Sequence, residues 1–169
     1  MRLWRDTSGQ ETVEFGLLYA GVLLPLTFSV VFVAEMLWVW HSVVDFTRDG
    51  ARYAATHCWE SDGSNVINYM QSHVPLMIDM DQFQSAGQAS IVVQYYSRDP
   101  DSGQLVDFTC AAGDCTTGCE PDVVTVSVAN YQFTRFVGFF RLPPVTIPSF
   151  QTTVPMEGTG CDESGNCVP

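Results

Sequence analysis

Between Phe15 and Ala34 the chain runs for twenty residues without a charge, FGLLYAGVLLPLTFSVVFVA, and the apolar character resumes after Glu35 with MLWVW. At about 1.5 Å per residue a helix of that length covers about 30 Å, the thickness of a bilayer's hydrocarbon core. A core helix of a small soluble domain shows one apolar stripe, not an apolar circumference. A cleavable secretory signal has a shorter apolar run followed by a small-residue cleavage site, and neither condition is met. The pattern therefore predicts a retained membrane-spanning helix over residues 15–40. Glu14 and Glu35 bracket the uncharged run and can both reach an interface, while Trp38 and Trp40 fall where an aromatic belt belongs.

Arg2 and Arg5 precede the span, which favours a cytoplasmic N-terminus, although Arg48 and Arg52 follow it. All six cysteines (Cys58, Cys110, Cys115, Cys119, Cys161 and Cys167) come after the span. Disulfides need an oxidising compartment, so the C-terminal part is expected outside the cytoplasm. The charge balance narrows the partners. Nineteen acidic residues stand against seven basic ones, all arginine, for a net charge of −12. Nothing here neutralises a run of phosphates, so nucleic acid is excluded as a partner, and there is no polybasic patch for anionic lipid.

Past the span, HSVVDFTRDGARYAATHCW places Val44, Ala51, Ala54, Ala55 and Cys58 on one helical stripe. Asp45 with Arg48, and Asp49 with Arg52, stand at i,i+3. Gly50 weakens a helix without ending it. One helix is thus expected over residues 10–57, with Pro25 kinking or loosening it because proline supplies no N–H and crowds the preceding turn.

Residues 58–169 read as a small head. SNVINYMQSHV (64–74) predicts a short helix capped by Ser64 or Asn65, with Val66, Ile67, Met70 and Val74 facing inward. ASIVVQYYS predicts a strand, DPDSGQ a turn and LVDFTC a partner strand. DVVTVSVANYQF is the clearest strand, with Val124, Val126 and Val128 on one face. VTIPSFQTTVP is expected to be the last strand, demoted by Pro148 to a sheet edge or bulge. The compact aromatic stretch from Phe136 to Leu142 precedes it. The predicted class is α+β: a long N-terminal helix carrying a small antiparallel sheet with a short packed helix, held by disulfides. Six cysteines allow fifteen pairings, among which the sequence does not choose. A bond between Cys161 and Cys167 would leave Cys58 to reach the 110–119 cluster.

The N-terminal segment SGQETVEFGLLYAGVLLPL has an organisation that composition does not explain: a short leader ending at Gly9, the polar QETV, then Glu14 directly before Phe15 and the apolar run. This resembles the type IV pilin class, in which a prepilin peptidase cuts after a glycine and leaves a glutamate at the fifth mature position. More closely it resembles the TadE-like pseudopilins of tight-adherence (Tad) pilus systems, through GQETVEF, Leu24-Pro25, the DGARYAA of residues 49–55, and the closing VTVSVANYQF and VTIPSFQTTVPME. The resemblance implies a leader over residues 1–9, processing between Gly9 and Gln10, and assembly through Glu14 and Phe15. It implies as partners major and minor pilin-like subunits, an inner-membrane assembly platform and the prepilin peptidase. Localisation in a bacterial inner membrane follows, N-terminus cytoplasmic and head periplasmic, with incorporation in a surface filament. The six cysteines lie outside the motif.

A carboxylate at the head of an apolar helix costs about 2.5–3.5 kcal/mol in lipid on insertion scales, but the helix N-terminus favours negative charge. Cleavage would add a positive α-amino group at Gln10 that Glu14 of a neighbouring subunit can pair with. Glu35 is read instead as an interfacial charge. Other chemistry is thin. Asp99, Asp101 and Asp107 suggest a calcium loop, but Gly103 occupies position five and Cys110 position twelve, so a hairpin turn is favoured. The C-x4-C-x3-C spacing of Cys110, Cys115 and Cys119, even with His57 or His73, matches no strong zinc pattern. No nucleophile, metalloprotease or nucleotide fingerprint is present, so neither an enzyme nor a cofactor is expected. The rival to a pilin-like subunit is a single-span anchored module whose acidic head binds a ligand outside any filament.

Overall fold

The computed structural model of the chain describes residues 8–84, 87–116, 118–134 and 143–157. It divides between Trp38 and Val39 into two units. The first holds helix α1 (Ser8–Leu18), a π-helical segment (Tyr19–Leu23) and the opening of helix α2 (Leu24–Thr56), which follow one another without a break. Their junction is dictated by Pro25. That residue offers no N–H to the Gly21 carbonyl and its ring would crowd it, so a regular α-turn cannot continue. The chain widens instead by one residue per turn, and the Leu24 N–H donates to the Tyr19 carbonyl five residues back. Two hydroxyls settle on carbonyls of the following turns: Thr27 Oγ1 donates to Leu24 O (2.8 Å) and Ser29 Oγ to Pro25 O (2.8 Å). The helical stretch Gly9–Thr56 is long and apolar enough to cross a membrane once.

The second unit begins at Val39, so the last turns of α2 belong to the head. From there α2 becomes amphipathic, burying Val39, Val43, Phe46, Thr47, Gly50, Ala51, Ala54 and Ala55. The stripe is set by Val43 and not by Val44, which is only half-buried. Bulky Phe46 and Val43 select that face, and the small residues continue it toward the C-terminal end. The i,i+3 pairs Asp45–Arg48 (3.3 Å) and Asp49–Arg52 (4.0 Å) lie on the opposite, solvated side and contribute little.

Helix α3 (Ser64–Ser72) buries Val66 and Met70. Its cap differs from expectation. Gly63 holds the N-cap position in a left-handed conformation (φ 64°), and the first N–H groups are accepted by carboxylates: Ser64 N–H by Asp62 Oδ1 (2.9 Å) and Asn65 N–H by Glu60 Oε2 (2.9 Å). Gly63 is required twice over, since a Cβ there would also meet Val93 Cβ at 2.6 Å. A 3₁₀ turn follows at Met80–Phe83.

The main sheet is antiparallel in the order β2 (Leu105–Asp107), β1 (Ser90–Arg98), β3 (Val123–Ala129), β6 (Phe150–Pro155). Its register aligns Ile91, Val128 and Phe150 in one row, Val93, Val126 and Thr152 in the next, then Tyr95, Val124 and Val154. This is the inner face, and alternation of side chains along each strand turns the polar partners outward. One of these outer pairs, Thr125–Thr153, shares a hydroxyl hydrogen bond of 2.9 Å. Helix α2 meets the sheet at Trp40 against Phe150 (5.6 Å between rings) and at Thr47 Oγ1 facing Thr152 Oγ1 (3.3 Å). At its far end the Ala55 carbonyl accepts from Glu157 N–H (3.0 Å).

Three strand expectations are corrected. The partner strand stops at Asp107, because Phe108 turns inward against Trp59 and residues to Cys110 follow the disulfide-bonded loop. The long strand ends at Ala129: Asn130 takes a positive φ of 59°, and β4 (Gln132–Phe133) leaves to pair with β5 (Val145–Thr146) in a separate ribbon. The closing strand is accordingly two, β5 and β6, broken around Pro148, with β6 at the sheet edge. Phe136–Leu142 lies outside the described residues.

Candidate functional site

Gly9, Gln10, Glu14 and Phe15 all stand on α1. The Gly9–Gln10 peptide bond lies at the N-terminal end of the described part of this helix. Gln10 Nε2 donates to Glu14 Oε1 (3.1 Å), one turn apart. Glu11 joins them in the first turn, where the helix dipole favours negative charge. Gly9 has open space around the position of a Cβ. Phe15 is 71% exposed, and Val13, Leu17, Leu18, Tyr19, Val22, Leu23, Leu26 and Phe28 are exposed as well. These positions go round the helix instead of forming a stripe. In water such a surface would be strongly disfavoured; lipid or apolar helices of other chains remove the cost. Glu35 is half-buried, and its Oε2 has no hydrogen-bond partner among the described residues.

The opposite end of the head is chemically different. Cys58 is bonded to Cys115 and Cys110 to Cys119, so both disulfides close on the loop between β2 and β3. Cys161 and Cys167 lie outside the described residues. Trp59, beside Cys58, organises this loop: its Nε1 donates to the Cys119 carbonyl (3.0 Å), its own carbonyl accepts from Cys115 N–H (3.2 Å), and its ring stands edge-on to Phe108 (4.9 Å). Asp114 Oδ2 accepts from both N–H and Oγ of Ser61 (3.0 and 2.9 Å). The sulfurs of Cys110, Cys115 and Cys119 are thus all in disulfides, which leave no thiolate among them to bind a metal.

Several groups in the head carry shifted acidities that reflect structure. Tyr95 is buried behind Trp59, which pushes its hydroxyl up to about 12; the Glu60 N–H faces it without reaching hydrogen-bond geometry, and its oxygen has no partner among the described residues. Asp99 is held below its usual range by the Asp101 N–H and the Ser102 hydroxyl (3.0 and 2.8 Å). Asp99 therefore closes the hairpin turn with its own neighbours, and Gly103 takes the left-handed position there. His57, Tyr53, Tyr69 and His73 form a column of stacked rings spaced 3.7, 3.9 and 4.4 Å, joining α2 to α3. Tyr53 is raised by burial first, then by Tyr69 and Glu60. Sequence reasoning missed this column and the role of Trp59. The i,i+4 spacings Tyr53–His57 and Tyr69–His73 were the available signal. Among the described residues no three His, Cys, Asp or Glu side chains converge as metal ligands.

No family model, curated protein or solved structure matches this chain.

Proposed function

We propose that the chain is a minor pilin-like subunit of the TadE type, which takes part in assembly of a Tad-type surface filament or related secretion apparatus through helix packing. It is held in a bacterial inner membrane by residues 15–40, N-terminus cytoplasmic and head periplasmic. A prepilin peptidase removes residues 1–9, and the helix then packs with other major and minor subunits on the inner-membrane platform. The observation that carries the reading is the joint placement, on one exposed apolar helix, of Gly9–Gln10 ahead of the apolar run and Glu14 one turn along, its carboxylate accepting from the Gln10 side chain. Cleavage would free the Gln10 amine next to the side chain that now contacts Glu14. A charged pair between neighbours then fixes their axial stagger, because a carboxylate left alone in lipid costs about 2.5–3.5 kcal/mol.

The test has two arms. Mass spectrometry of the protein from its native membrane should show Gln10 as the first residue. Glu14→Ala should leave membrane insertion intact while reducing recovery in sheared filaments. An unprocessed N-terminus together with undiminished incorporation of Glu14→Ala would overturn the proposal and favour a single-span anchored binding module.

A further inference from the structure

From the exposure of one turn at the Val39 end of the head, we infer that Pro75–Ile78 is a second membrane contact, a wedge that places Leu76 in the interfacial zone of a zwitterionic bilayer. Leu76 is 97% exposed, the most exposed large apolar side chain among the described residues. It is held there by a turn, since Ile78 N–H donates to the Pro75 carbonyl (3.0 Å) and puts Leu76 and Met77 at the tip. Turn tips favour Gly, Asn, Asp and Ser for reasons of backbone geometry, so nothing local asks for leucine there. The C-terminal flank of the tip is anchored in the head. Ile78 is buried, and Asp79 N–H donates to the Tyr131 hydroxyl (2.7 Å).

The position of the turn identifies what covers it. Met77 and Ile78 line one cavity of about 250 Å³ with Val39, Tyr131 and Phe133. Val39 and Trp40 are the first residues of the head unit and the last of the predicted span, with Trp40 in the aromatic belt. The turn therefore lies at the end of the head where the bilayer is expected to stop. A single apolar wedge at that level suits lipid, whereas a peptide partner would need a groove. Zwitterionic lipid is specified because the net charge is −12 and no basic residue occurs between Arg52 and Arg98. The nearest carboxylates are tied into the adjoining 3₁₀ turn: Asp79 Oδ1 accepts from Asp81 N–H (3.1 Å), and Asp81 Oδ1 from Gln84 Nε2 (3.1 Å). The inference rests on residues 15–40 being the span, and the experiment separates the two.

Single nitroxide labels are placed through Leu76→Cys, Phe28→Cys and Asp101→Cys in the full chain, reconstituted into phosphatidylcholine nanodiscs with native disulfides intact. Phe28 sits in the apolar run. Asp101 lies in the β1–β2 turn, beyond the sheet end at Tyr96 and opposite the Trp40–Phe150 end. Collision rates with oxygen and with a water-soluble nickel chelate report depth. The expected result is oxygen-preferring Phe28 and Leu76 labels, with Leu76 about 5–10 Å into the interface, and a nickel-preferring Asp101 label. A Leu76 label that matches Asp101 while Phe28 stays in lipid overturns the wedge alone. Phe28 and Leu76 both matching Asp101 overturns the span as well.

Discussion

Replacing Gly50 by alanine sets two effects of similar size against each other. In an isolated helix the substitution stabilises by about 1 kcal/mol, because alanine gives up less backbone freedom. In this chain Gly50 is the point at which α2 approaches α3, and a Cβ there would strike the Met70 thioether, overlapping Sδ and lying 2.9 Å from Cγ. Met70 is 1% exposed, so it has no solvent to move into. Overpacking of a filled core costs about 1–3 kcal/mol, which leaves a net loss of about 1 kcal/mol for Gly50→Ala. Shortening the neighbour reverses the sign. In a Met70→Ala background the obstruction is gone and Gly50→Ala should stabilise by about 1 kcal/mol, giving a coupling of about 2 kcal/mol between the two sites. Guanidinium unfolding of the four proteins in detergent, followed by near-ultraviolet circular dichroism of the head, measures the cycle. Equal stabilisation by Gly50→Ala in both backgrounds would refute the close helix contact.

Two further outcomes follow from the disulfide-bonded end. Tyr95 has its hydroxyl raised by burial from 10.0 to about 12, so the contribution of its neutral form is complete below pH 10 and disappears as pH rises to about 12. Alkaline unfolding of the head should therefore flatten over that window in Tyr95→Phe, which should also be about 1 kcal/mol more stable at pH 7, since the hydroxyl it removes is buried without a partner; a loss of stability at pH 7 would show a partner exists. Cys58–Cys115 spans 57 residues and Cys110–Cys119 only 9, so the entropy of loop closure assigns them about 4 and about 2.5 kcal/mol. Double alanine replacement of each pair, compared by denaturant midpoint, should rank them in that order, and the reverse order would refute a chain-entropy origin.

What could be read from the sequence was whatever periodicity and charge specify locally. The helix from Gly9, the three inward valines of β3 and the hairpin turn at Asp99–Gly103 each depend on residues within one or two turns of one another. The errors came where distant contacts decide. The cap of α3 is the exception, a local miss: Asp62 and Glu60, two and four positions before Ser64, take the first N–H groups ahead of its own hydroxyl. Gly63 had to be left-handed to let Val93 pass, and Val93 is thirty positions away. The split of the closing strand into β5 and β6 follows from Gln132–Phe133 claiming Val145–Thr146, a pairing invisible to alternation within either segment. At the candidate site Gly9, Gln10, Glu14 and Phe15 came from the resemblance, and the structure adds that all four stand on one helix. The Gln10–Glu14 hydrogen bond and the Trp59-centred disulfide loop needed coordinates.

The division at Trp38–Val39 gives these parts a mechanical logic. Every fully buried residue among those described lies at Val39 or beyond, within the second unit. The first unit, by contrast, closes its backbone hydrogen bonds within its own helix and exposes most of its apolar side chains. The π-helical segment before Pro25 is the one place in the apolar run where the ladder already departs from α geometry, with the Leu24 N–H bonded five residues back. Under the proposed function, a change of helix path has a low-cost position there, and the disulfide-bonded head keeps its own core while the N-terminal helix exchanges lipid for neighbouring helices.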